Sequence, residues 1–122
     1  MKLRIHENSI RLRVSRPELS QLRSRGRIDA ELHIAAQSKF TYTLKVTVCE
    51  SISAEFHDGH MTVELPQDMA AQWYSDSEVS VHGEQVSKGG PKLEVLIEKD
   101  FTCLAPREGE DQSDLFPNPV KR

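Results

Sequence analysis

The residues best suited to chemistry fall near the end of the chain. Asp100, Cys103, Arg107, Glu108, Glu110, Asp111 and Asp114 lie within one short stretch. Carboxylates bunched in this way can chelate a hard cation, since Ca²⁺ and Mg²⁺ take oxygen ligands. The spacing is not that of an EF-hand loop, which needs a Gly turn and a distal Glu. Cys103 beside carboxylates is a poor nucleophile, because negative neighbours raise a thiol pKa. Arg107 can offset that charge or bridge to Asp111. A plainer use of the stretch is a solvated acidic tail, pinned to the fold by Phe101, Leu104 and Phe116. A third use is contact with a partner, for which Asp100, Cys103, Arg107, Glu110, Asp111, Asp114 and Phe116 are the expected residues. The sequence defines no metal-ligand set there, and no cofactor is expected.

Histidine and arginine supply the other chemistry. His6, His57 and His60 fall at turns, where an imidazole pair can bind Zn²⁺, but no third protein ligand is identifiable. The simpler expectation is turn histidines exposed to water, with His33 and His82 on the outward faces of strands. Arg4, Arg11 and Arg13 share the outward face of the first hairpin, with Arg16, Arg23, Arg25 and Arg27 around the following helix. Such a face can lie on DNA phosphates, and contacts of that kind alone are salt-sensitive and unselective. The corresponding positions of the second half are Glu55, Thr62 and Glu64, which would repel DNA. A basic face paired with acidic groups elsewhere is the competing expectation. No nucleotide loop, no Ser-His-Asp arrangement and no close acid pair on rigid elements is visible.

These residues sit on a chain of 122 residues with 37% hydrophobic content, enough for one compact domain with a modest core. Lys2 and Arg4 interrupt any apolar run after Met1, and no stretch is long and apolar enough for a membrane helix. A soluble, unprocessed protein is expected. Cys49 and Cys103 match no metal or disulfide spacing, so reduced thiols in a cytoplasm are the expectation. The net charge of −3 conceals +6 over residues 1–49 and −9 over residues 50–122. Two halves that attract each other, within one molecule or between two, explain this more simply than a nucleic-acid partner does.

The elements that must hold these groups follow from alternation and turn chemistry. Leu3 and Ile5, then Ile10, Leu12 and Val14, form a hairpin around Glu7-Asn8, with Asn8 expected in the left-handed region. Ser15 and Glu18 complete a capping box, Pro17 suits the first helical turn, and Gly26 stops the helix. Ile28 to Ile34 and Phe40 to Val48 alternate as two strands, with Thr41, Thr43, Lys45 and Thr47 outward. The order then returns. Asp58-Gly59 turns between Ala54–Phe56 and Met61–Leu65. Pro66 opens a helix holding Met69 and Trp73, Val79 and Val81 begin a strand, and Leu93, Val95 and Ile97 form the last one.

At an offset of 51 the apolar positions coincide, as in Ile10/Met61, Leu12/Val63, Leu22/Trp73, Ile28/Val79 and Leu44/Val95. A mainly β fold with two short helices is therefore expected. Duplicated ββαββ units, residues 2–49 and 53–100, would interleave into a small pseudo-twofold β-barrel or sandwich. Residues 1–104 would form one β-rich domain, and 105–122 an acidic, Pro-containing tail.

The runs Ile10–Ile34 and Met61–Val86 resemble the swapped-hairpin units of AbrB and MazE-type regulators. Met61-Thr-Val-Glu-Leu-Pro-Gln-Asp-Met69 is the closer of the two. That resemblance implies a paired-unit fold and DNA binding through Arg4, Arg11 and Arg13. The Gly-Arg common before the first strand in that family is Asn8-Ser9 here, and Gly59-His60 in the second half. The start Lys2-Leu-Arg-Ile with Asn8-Ser-Ile-Arg-Leu-Arg13 is similar to that of a family of small uncharacterised bacterial proteins. So is the ending Glu98-Lys-Asp-Phe with Cys103, Pro106-Arg107, Gly109-Glu-Asp and Phe116-Pro-Asn-Pro119. That resemblance implies no activity. The expectation for function is a non-enzymatic binding or adaptor module that uses its C-terminal segment for protein interaction or for pairing with its own copy. An AbrB-like DNA-binding regulator is the alternative, and a metal-dependent enzyme around Cys103 and the acidic loop is the second.

Overall fold

The computed structural model describes residues 1–75 and 77–100. The order is β1 (Lys2–His6), β2 (Ser9–Val14), α1 (Arg16–Arg25), β3 (Arg27–Ala35), β4 (Ser38–Thr47), β5 (Ser53–His57), β6 (His60–Pro66), α2 (Gln67–Trp73), β7 (Ser80–Val86) and β8 (Lys92–Lys99). Local chemistry sets the boundaries. Ser15 accepts from the Glu18 amide while the Glu18 carboxylate accepts from the Ser15 amide, and Gly26 closes α1 at φ 80°. Both first turns carry a non-glycine residue in the left-handed region, Glu7 and Asp58. Glu7 therefore takes the role expected of Asn8, whose side chain instead donates to the Lys92 carbonyl.

Four hairpins form two four-stranded sheets in an interleaved order. The first sheet runs β1-β2-β8-β7 and the second β3-β4-β6-β5, so each half of the chain gives one hairpin to each sheet. The central pairs, β2 with β8 and β4 with β6, are parallel, and the hairpin pairs are antiparallel. Alternation then puts one face of each sheet inward. Ile10, Leu12, Val14, Val95 and Ile97 meet Leu44, Met61, Val63 and Leu65, while Leu22, Ala70 and Trp73 enter from the helices. Trp73 is fully buried, and its indole N–H donates to the Val79 carbonyl at 3.0 Å.

The pairing repeats as a duplicated unit would. Lys2 opposite Arg13 recurs as Ser53 opposite Glu64, a shift of 51. Arg27 opposite Lys45 recurs as Ser80 opposite Glu98, a shift of 53. The structural partner of Ile28 is therefore Val81 rather than Val79, which lies before β7 and is 49% exposed. α1 and α2 begin at the same shift of 51, at Arg16 and Gln67. The two extra residues belong to the stretch between the start of α2 and β7. The sequence comparison kept its match because a two-residue slip preserves strand parity.

The two sheets do not close into a barrel. On one side β5 and β7 are joined by a side chain: the Gln85 amide donates to the Ala54 carbonyl at 3.0 Å and accepts from its N–H at 2.8 Å. On the other side Leu32 occupies the place of Gln85 and has no group to make that bond. The molecule is thus a sandwich clasped along one edge.

Candidate functional site

The basic face of the first hairpin is occupied by its own neighbours. In the parallel register Arg13 lies beside Glu98, and its Nε donates to that carboxylate at 2.7 Å. Arg11 approaches the same carboxylate at 3.7 Å, and Lys2 reaches Asp100 at 3.0 Å. Arg4 stands opposite Arg11 in the hairpin. This meets the expectation of a basic face paired with acidic groups. Asp100 is the only expected C-terminal contact among the described residues. Its amide donates to the Val14 carbonyl at 2.9 Å, tying the end of β8 to β2. Cys103, Arg107, Glu110, Asp111, Asp114 and Phe116 lie outside the described residues, as does the proposed boundary at 104/105.

His6 and His57 are exposed, as are His33 and His82, while His60 is half-buried and bonded through both ring nitrogens. Nδ1 meets the Thr41 hydroxyl and Nε2 lies 3.1 Å from the Thr43 hydroxyl. Thr43 is only 1% exposed although it points away from the core, and its Oγ1 donates to the Asp29 carboxylate at 2.6 Å. Arg27 donates to the same carboxylate oxygen at 2.9 Å. The Arg27 hydrogen bond and then that of Thr43 keep the Asp29 carboxyl below its ordinary value of 3.8.

An ionised carboxylate only accepts, so the Thr43 proton points at Asp29. Thr43 oxygen must then accept from His60 Nε2–H. In the neutral imidazole this leaves Nδ1 as an acceptor, and the Thr41 hydroxyl donates to it. Four side chains from β3, β4 and β6 thus form one directed chain, from Thr41 through His60 and Thr43 to Asp29. Thr41 and His60 line an open surface depression of about 280 Å³ whose other lining residues are Asp29, Ala30, Glu31 and Lys39. Thr41 and Thr43 were legible as outward residues of a strand. Their meeting with His60 was not, because it depends on the parallel β4–β6 register, where Thr41 lies beside His60.

A second surface lies on the opposite face of the same sheet, one rung from Thr41 and His60. β3 and β4 have 9 and 10 residues against 7 and 8 in β7 and β8, so this hairpin projects further. Leu32, Ile34 and Phe56 are 55%, 69% and 65% exposed there. Leu32 pairs with Phe40, whose ring lies 6.1 Å from that of Phe56 and 5.8 Å from that of Tyr42. These residues continue the inward parity of the sheet beyond the point where the first sheet covers it.

Among the described residues no group of three or more His, Cys, Asp or Glu could hold a metal ion. Cys49 lies past the end of β4, and burial and then the Glu64 charge push its thiol up, away from the reactive thiolate. Among the described residues no helix is long and apolar enough to cross a membrane.

Fold and surface together define a small interleaved β-sandwich with an apolar end and an open depression on one sheet. The chain belongs to the family of unknown function DUF7009, whose model matches residues 1–120. No curated protein and no solved structure matches it.

Proposed function

We propose that the protein is a protein-binding module whose contact surface is the apolar end of the β3–β4 hairpin. The exposure of Leu32, Ile34 and Phe56 around the Phe40 ring carries this reading. A cluster of exposed apolar side chains is the usual mark of a protein contact. The C-terminal segment, with Asp100, Cys103, Arg107, Glu110, Asp111, Asp114 and Phe116, is the second contacting element of the proposal. The family match supports its inclusion by running through the segment to residue 120. The expected setting is the cytoplasm of a bacterial cell, and pairing with a second copy is one form the contact can take. Capture by the intact protein should be lost in Leu32→Glu plus Phe56→Glu. It should also be lost on deletion of residues 105–122, with the circular dichroism of both variants unchanged. Capture that survives both changes would remove the proposal.

The rival is an AbrB-like DNA-binding regulator using Arg4, Arg11 and Arg13. Interleaved hairpins favour it, since paired units of that kind are what the resemblance implies. The Glu98 carboxylate between Arg11 and Arg13 weighs against it. Retention on a DNA column at low salt, lost in Arg11→Ala plus Arg13→Ala, would support the rival over the binding module. An enzyme centred on Cys103 and a metal gains no support from the described residues.

A further inference from the structure

We infer that Thr41 is an activated hydroxyl that accepts an acyl group from a small activated ester or thioester entering the depression beside it. The geometry supplies the parts that such a step needs. Thr41 Oγ1 meets His60 Nδ1, the nitrogen left as acceptor once Asp29 and Thr43 have fixed the tautomer. The Thr41 amide donates to the Gly59 carbonyl at 3.0 Å, which fixes the nucleophile beside the turn that carries His60. Lys39 lines the same depression and brings positive charge for the developing oxyanion, and its present partner there is Glu31 at 3.2 Å.

The step balances simply. Thr41 oxygen forms a bond to the acyl carbon, and its proton passes to His60 Nδ1. The bond to the leaving oxygen or sulfur breaks, and that atom takes the proton from His60. Thr43 and Asp29 touch no substrate. They are positioning residues that hold the imidazole and its tautomer.

The fold itself does not require this chain. The corresponding places in the first sheet are Ser9, Glu94, Leu96 and His82, by the same shifts of 51 and 53. Leu96 has no hydroxyl, so the relay cannot form there, yet the sheet pairs in full. A buried hydroxyl at Thr43 is therefore a feature of one sheet, held between Asp29 and His60.

The test uses the intact protein and p-nitrophenyl acetate, with nitrophenolate release followed over pH and the acetyl group located by peptide mass spectrometry. One acetyl on Thr41 is expected, formed only where His60 Nδ1 is free to accept the hydroxyl proton. Thr41→Ser should keep the label and Thr41→Val should lose it at this position. His60→Gln should slow labelling by about 100-fold or more, the usual worth of a positioned base. Asp29→Asn should keep Thr41 as the labelled residue but lower the rate, and Asp29→Glu should restore it. Asp29 is half-exposed, so this variant remains informative if His60→Gln does not fold. Label found only on lysines or the N-terminal amine overturns the inference, as does equal Thr41 labelling in His60→Gln.

Discussion

Thr43 shows how one residue links fold and chemistry. Among the described residues it is the one buried polar side chain, and its hydroxyl is satisfied on both sides by Asp29 and His60. Thr43→Val keeps the shape and leaves the His60 Nε2–H without its acceptor, while Asp29 keeps its bond from Arg27. A loss of about 1–2 kcal/mol is expected in urea denaturation, the cost of orphaned polar groups.

Asp29 gives a pH dependence whose sign is fixed. Its folded pKa lies below 3.8, so the unfolded chain binds the proton more readily. The stabilisation is fully present above the unfolded value and is lost as pH falls through the folded one. Stability measured from pH 6 downward should fall less steeply in Asp29→Asn than in the natural chain. Parity alone told that Thr41 and Thr43 face outward. Burial of Thr43 and partnership with His60 were hidden, because they depend on a contact between strands that sequence cannot register.

At the scale of the element, the sequence was most explicit at α1. Ser15, Pro17, Glu18 and Gly26 each stand where a helix of this length needs them, and each is found in that role. The capping bonds also gather the N-terminus, because Glu18 pairs with the Met1 ammonium and the Tyr42 hydroxyl donates to the Met1 carbonyl at 2.8 Å. Burial pushes the Glu18 carboxyl up, and its bonds to the N-terminus and Ser15 outweigh that and hold it below its usual range. Ser15→Ala should therefore cost about 1 kcal/mol, as loss of an N-cap usually does. Thermal unfolding at neutral pH measures it.

α2 was harder to place. Pro66 makes no side-chain cap, the helix ends after seven residues at Trp73, and Val79 falls outside the next strand. A slip of two leaves apolar residues opposite apolar residues, so alternation could not reveal it. The interleaved topology was anticipated, but the choice between barrel and sandwich was not. That choice turns on whether edge strands meet, and here it rests on the amide of Gln85.

The whole molecule is held by an asymmetry between its two edges. At the clasped edge Gly83 comes so close that an added Cβ would lie 2.7 Å from Ile52 Cβ. Gly83→Ala must push Ile52, a fully buried side chain, or part β7 from β5. A loss of about 1–3 kcal/mol is expected from overpacking, read as a lower urea midpoint. At the other edge the same symmetry leaves Leu32 beside the exposed apolar end of the longer hairpin. What departs from the twofold pattern is therefore concentrated on the second sheet: the projecting hairpin, the apolar patch and the hydroxyl chain.

The proposal that this sheet carries a protein contact is tested most directly by affinity capture from the protein's own source lysate. The natural chain and the folded Leu32→Glu plus Phe56→Glu variant are compared by quantitative mass spectrometry. The account predicts a stoichiometric partner, or a second copy of the chain, with the natural protein and at least about tenfold less with the variant, the loss expected when central apolar contacts are replaced by charge. Equal recovery of the same partner by both proteins would contradict it.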